Sequence, residues 1–383
     1  MPTTAATPFS LHVPDAQLAD LKQRLALTRW PDEAPLAPWS TGTSLAYMRR
    51  LAEYWRADFD WRRWEAKLNA FRQFKASIGG IELHFIHEPG RRADAMPLLI
   101  SHGWPGSVFE FHRLLPLLRE HFTVVAPSLP GYTLSFTPGQ RRFGIEDIAE
   151  LYAILMRDVL GYARFGAQGG DWGAFVASVL AQRHPELLCG IHLNLLAVRR
   201  DAQLSAPSPE EKAFLRQLSA FLKDETGYQW IQGTKPQTLA FALTDSPVGL
   251  AAWIIEKFRT WTDCDGDPEN AVSRDEMLAN IALYWFTGAI GSAFWPYYAR
   301  MHSPWPIREG EAIGVPMGYA EFPKEILTPP RSLAARTYGN IRRWSVLKKG
   351  GHFAALEQPD VLAREIIAFF TELEAEGGAL PPG

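Results

Sequence analysis

Residues 166–174 read GAQGGDWGA, and the role of Asp171 at the apex decides how the rest of the chain is read. Gly169 stands two residues before it and Gly173 two after. The run "YARFGAQGGD" has the look of a strand entering the apex, and "AFVASVLAQRHPE" that of a helix leaving it. Small residues at these two places let a chain turn sharply and display a strained apex side chain, the frame of a nucleophile elbow. Such an apex is ordinarily a serine, yet no G-x-S-x-G occurs elsewhere in the chain. The bland alternative is a glycine-rich turn in which Asp171 caps the following helix.

Outward from the elbow, short apolar runs alternate with helical patterns from about residue 97, as βαβ units of a mostly parallel sheet do. "MPLLISHG" reads as a buried strand, "SVFEFHRLLPLLREH" as a helix, "FTVVAPSLPGY" as a strand and "IEDIAELYAILMRDVL" as a helix. The alternation stops between about 200 and 310. There Ser208-Pro-Glu-Glu211 and Ser273-Arg-Asp-Glu276 read as capping boxes, and Ser246-Pro247 as a proline-led helix start. Strands resume in "AIGVPMGYAE" and "RRWSVLKKGGH", and "PDVLAREIIAFFTELEAE" closes the chain as an amphipathic helix before a loose tail, "GGALPPG". The division is therefore 1–95, an N-terminal region; 96–199 and 311–383, two parts of an α/β core; and 200–310, a helical lid. In the N-terminal region Asp15 caps a helix with Leu18, Leu21 and Leu25 on one face. A second helix follows at "SLAYMRRLAEYWRADFDW", then a strand at "GGIELHFIHEP".

Composition narrows the function. The 383 residues carry 39 basic and 42 acidic side chains, a net charge of -3 that provides no global field for nucleic acid or an anionic membrane. Two cysteines, Cys189 and Cys264, are too few for a disulfide framework and lack metal-ligand spacing. No apolar run approaches a membrane span, and "MPTTAATPFS" lacks the basic and apolar regions of a signal peptide. The expectation is a cytoplasmic protein without a cofactor, metal or nucleic-acid partner. "TDCDGDPEN" has its glycine misplaced for a calcium loop and reads as a solvated turn.

Three further elements bear on Asp171. His102-Gly-Trp-Pro-Gly-Ser107 follows the "PLLIS" strand, where an α/β-hydrolase loop supplies one oxyanion amide and the residue after the nucleophile the other. By position these are the backbone N–H groups of Trp104 and Trp172. His352, in "GGHF" after the last strand, stands where a base belongs. Of the other nine histidines, His102 belongs to the loop just described and eight have no motif context. Glu321 and Glu325, after the preceding strand, are both open as its orienting acid. An aspartate nucleophile suits attack on an sp³ carbon, because the carboxylate is already ionised and needs no base for the first step. The leaving group is then the oxygen of a strained epoxide, which wants a proton donor, or a halide, which wants N–H donors. Tyr228, Tyr297 and Tyr298 in the lid bear on that choice, although each read singly is a packing residue.

Taken together, these strings resemble the α/β-hydrolase-fold epoxide hydrolases of the microsomal and juvenile-hormone type. The resemblance runs from "PFSLHVPDAQLADLKQRLALTRWPDE" to "GGHFAALEQPD" and includes the long lid string "GYQWIQGTKPQTLAFALTDSPVGLAAWIIEKFRTW". It implies Asp171 as nucleophile, His352 as base and Glu325, in "FPKEIL", as orienting acid. Tyr228 would be one donor to the epoxide oxygen, and Tyr297 or its neighbour Tyr298 the other, with Tyr297 favoured. It further implies a cis Trp104-Pro105 bond, an N-terminal region wrapping core and lid, and a small apolar epoxide and water as substrates. Microsomal relatives carry a membrane-anchoring N-terminal helix, and this chain starts almost at the wrapping segment, so a soluble, bacterial-style member is expected. The alternatives are a haloalkane dehalogenase with the same nucleophile and a non-catalytic ligand-binding member of the fold.

Overall fold

The computed structural model describes residues 5–199, 206–307 and 310–376; the expected loose tail "GGALPPG" lies outside them. Among the described residues nine strands form one sheet: β1 (Thr7–Phe9), β2 (Gln73–Ile78), β3 (Ile81–Glu88), β4 (Met96–Ser101), β5 (Phe122–Pro127), β6 (Phe165–Gly169), β7 (Leu188–Leu193), β8 (Met317–Glu321) and β9 (Ile341–Val346). Their spatial order is β1-β2-β3-β5-β4-β6-β7-β8-β9. From β5 to β9 the pairing is parallel, and β1, β2 and β3 add an antiparallel edge. The middle strands β4, β6 and β7 are buried at every residue, as strands covered on both faces must be. Asp171 emerges at the C-terminal end of β6, in the middle of the parallel portion.

Between β7 and β8 the chain is helical, with Pro209–Asp224, Gly227–Thr234, Pro236–Asp245, Pro247–Trp261, Arg274–Thr287 and Trp295–His302 as its main helices. Both capping boxes form: the Ser208 and Ser273 hydroxyls accept from the amides three residues on, and Glu211 and Glu276 return the bond. Ser246 caps the helix that Pro247 opens.

Two expectations need correction. Asp15 does not cap the first helix; Pro14 holds that position and Asp15 pairs with Arg62 instead. "SVFEFHRLLPLLREH" is not one helix but a 3-10 turn, Val108–His112, and a short helix, Leu115–Leu118. Pro116 has no N–H to bond the carbonyl four residues back, so the ladder breaks ahead of it and a new helix starts with Pro116 in its first turn. The alternative reading of Asp171 as a helix cap does not hold: Gly170 occupies the cap position, without a side-chain bond, and Asp171 is the first helical residue. The helix Trp61–Asn69 and the strands β1, β2 and β7 are additional to the elements expected from sequence.

Candidate active site

At the apex Asp171 has φ of 45°, a left-handed conformation uncommon for a residue with a side chain. The two framing glycines permit it. A Cβ on Gly169 would lie 2.2 Å from the Gly173 carbonyl oxygen, and one on Gly173 2.0 Å from that of Ser101. The carboxylate so displayed has one oxygen fixed: the Trp104 amide donates to Asp171 Oδ1 at 2.7 Å. The Trp104-Pro105 bond is cis. Trp172, by contrast, donates no backbone hydrogen bond to this carboxylate among the described residues, although its amide adjoins the apex.

His352 closes the other side. Its Nε2 lies 3.3 Å from Asp171 Oδ2, and its Nδ1 lies 2.6 Å from Glu325 Oε1. Glu325 is enclosed because the loop after β8 is stitched to the His352 loop, with the Lys324 amide donating to the Gly350 carbonyl at 3.1 Å. The helix Pro247–Trp261 adds a tie, as the His352 amide donates to the Trp261 carbonyl at 2.8 Å. Glu321 remains at the end of β8, away from the histidine pair. Burial works against a charge on His352, yet Glu325 and then Asp171 outweigh it and hold the imidazole well above its ordinary pKa. His102 is different: burial depresses it to about 4, and its Nε2 accepts from the Leu129 amide. It is a structural residue.

Two phenols share a cavity with the carboxylate. Tyr228 stacks on Trp104 with ring centroids 5.3 Å apart, and Tyr297 packs edge-on against Trp172 at 4.8 Å and against Tyr228 at 5.6 Å. Burial first, then the neighbouring Tyr228 and Asp171, keeps the Tyr297 phenol well above its usual pKa. Tyr298 turns the other way, stacked between Trp295 and His302. Asp171, Tyr228 and Tyr297 all line a cavity of about 350 Å³, otherwise mostly apolar with Phe175, Leu196 and Phe214 in its wall.

Sequence patterns did not single out the residues that hold the Trp104 loop. Asn280 Nδ2 donates to the Pro105 carbonyl at 2.8 Å and its Oδ1 accepts from Ser107 Oγ at 2.7 Å. The Tyr284 hydroxyl donates to the Gly106 carbonyl at 2.6 Å. The available signal was an i, i+4 polar pair on an otherwise apolar helix, "RDEMLANIALYWFT".

The sequence matches the model of the epoxide hydrolase N terminus over residues 6–111 and that of the alpha/beta hydrolase fold over residues 96–228. It is 44% identical over 381 residues to a Stigmatella aurantiaca protein provisionally named an epoxide hydrolase, covering 97% of this chain and 86% of that one. The chain belongs to the epoxide hydrolase family. Epoxide hydrolase 1 of Oryctolagus cuniculus is 36% identical over 416 residues, covering 96% of this chain and 89% of the rabbit protein. The solved structure of Aspergillus niger epoxide hydrolase superposes with a TM-score of 0.85 at 33% identity, covering 97% of both chains. Among the described residues of this family member no single helix is long and apolar enough to cross a membrane, and no group of three His, Cys, Asp or Glu side chains is placed to hold a metal ion.

Proposed function

We propose that this protein converts an epoxide and water to a vicinal diol through an ester on Asp171. The observation that carries this reading is one strained carboxylate, engaged by a backbone donor and a histidine–glutamate pair, on the wall of a cavity that it shares with two phenols. With Oδ1 engaged by the Trp104 amide, Oδ2 is the attacking oxygen. It forms a bond to an epoxide carbon as the ring C–O bond breaks, and a phenol proton from Tyr228 or Tyr297 neutralises the alkoxide. Phenols suit this step because they stay protonated at neutral pH, and general acids of this kind contribute roughly 10²- to 10⁴-fold. A halide leaving group has no need of them, which weighs against the dehalogenase reading.

Ester formation removes the negative charge of Asp171, one of the two that hold a proton on His352. The imidazole is thereby released toward its neutral form and becomes able to act as a base. It takes a proton from water as the water oxygen bonds to Asp171 Cγ, while the Trp104 amide, joined by that of Trp172, stabilises the oxyanion. Collapse breaks the bond from Cγ to the substrate oxygen, which leaves with the proton on His352. The remaining carboxyl proton restores the phenol.

The mostly apolar cavity of about 350 Å³ suits a small apolar epoxide. A single turnover in ¹⁸O-water, with styrene oxide and enzyme in excess, tests the scheme. Label is expected in the peptide holding Asp171. Label found only in the diol would mean direct attack by water and would overturn the ester.

A further inference from the structure

A second cavity lies against Asp171, apart from the apolar one. Its volume is about 20 Å³, and Glu110, Gln168, Asn194, Asp171 and His352 all contribute to its wall. By this measure one water needs roughly 10–15 Å³ and two to four polar partners, so the space fits a single water. Gln168 adds an independent sign. Its Nε2 donates to Asn194 Oδ1 at 2.8 Å, but its Oε1 is buried with no protein partner among the described residues. A buried acceptor of this kind is ordinarily met by ordered water.

Glu110 is the residue that the reaction as described so far does not use. It sits in the 3-10 turn Val108–His112, and although the residue keeps some accessible surface, its carboxyl group lies deep. Its place depends on Gly106, since a Cβ there would fall 1.3 Å from Glu110 Oε1. Any side chain at 106 would push the carboxylate off its seat. Burial raises the Glu110 carboxyl to about 8, with Asp171 adding to the rise and His352 opposing it. A carboxyl kept here at such cost, beside the nucleophile and the base, calls for a role.

We propose that the 20 Å³ cavity seats the hydrolytic water and that Glu110 holds it there, one O–H donated to the carboxylate and the other aimed at His352 Nε2. This inference rests on the ester reading above. Substrate then occupies the apolar side of Asp171 and water the polar side, so the water need not pass the bound alkyl group to reach Cγ. When Asp171 becomes an ester its contribution to the rise at Glu110 disappears, which moves the carboxyl toward its ionised, accepting form, while burial, the larger cause of the rise, persists. In the hydrolytic step the water oxygen bonds to Cγ and its proton passes to His352; Glu110 accepts only a hydrogen bond and exchanges no proton.

Rapid-quench kinetics with styrene oxide, reading the mass of the Asp171 peptide, tests this in Glu110→Gln, Gly106→Ala and a His352→Ala reference. Glu110→Gln should form the ester within about 2-fold of the wild-type rate and hydrolyse it roughly 10- to 100-fold more slowly, so that ester accumulates. Gly106→Ala, which keeps the carboxylate but displaces it, should slow the same step, and it carries the test if Glu110→Gln does not fold. Ester hydrolysis within about 3-fold of wild type in the folded variant, or equal slowing of both steps, overturns the role of Glu110. If His352→Ala also accumulates no ester, the covalent reading itself has failed.

Discussion

Glu325 acts on the site through one atom, the oxygen 2.6 Å from His352 Nδ1, and its removal has a signed consequence. His352 is held above its unfolded value near 6.5, so its contribution to stability is complete below that pH. The contribution is lost as pH rises through the raised folded value. Glu325→Gln takes away the larger of the two attractions, so the decline of Tm with rising pH should begin at a lower pH than in wild type. Thermal unfolding from pH 6 to pH 10 checks this, and a curve that overlays wild type would contradict it. The same variant should slow ester hydrolysis by roughly 10²- to 10⁴-fold, as loss of an oriented base does. At this scale Asp171, His352 and the "HGWPGS" loop were legible, because glycines mark backbone that must turn or approach closely. Glu110 was not. In "SVFEFHRLL" a lone acid looks like the solvated side of a helix, and only the fold shows that the turn carries it inward.

Among the elements, those built on local rules were readable and those built on distant partners were not. Capping boxes announce themselves within four residues, and both formed. β2, "QFKASI", mixes polar and apolar side chains, and its partner β1 is some sixty residues away, as in the pairing of Phe74 with Pro8. The helix Arg274–Thr287 has a role its pattern conceals, since Asn280 and Tyr284 tie the lid to the loop that presents the Trp104 amide. Asn280→Ala leaves the Pro105 carbonyl and the Ser107 hydroxyl without their buried partner. A loss of about 2–4 kcal/mol in urea denaturation is expected, together with slower ester formation as the amide loosens. Unchanged stability would mean that the loop holds its shape without the lid.

Across the whole molecule the N-terminal segment is tied to the helices between β7 and β8. Thr43 Oγ1 donates to the Ala252 carbonyl at 2.7 Å, the Tyr54 hydroxyl to Asp275 Oδ1 at 2.6 Å, and Trp61 packs against Phe286 with centroids 5.0 Å apart. Arg24 reaches Asp245 through both its backbone and side-chain oxygens at 2.9 Å. Native-state hydrogen exchange should therefore find Leu45–Ala57 and Pro247–Trp261 opening as one cooperative unit. Thr43→Val should speed exchange in both helices; faster exchange in the first alone would separate them. The span of these ties also matters during synthesis. Tyr54 and Asp275 are 221 residues apart, an interval the ribosome takes roughly 10–45 s to cross at 5–20 residues per second. Throughout that interval Trp61, buried in the finished protein against Phe286, lacks that partner, so the nascent chain offers chaperones an apolar surface that the finished enzyme does not show.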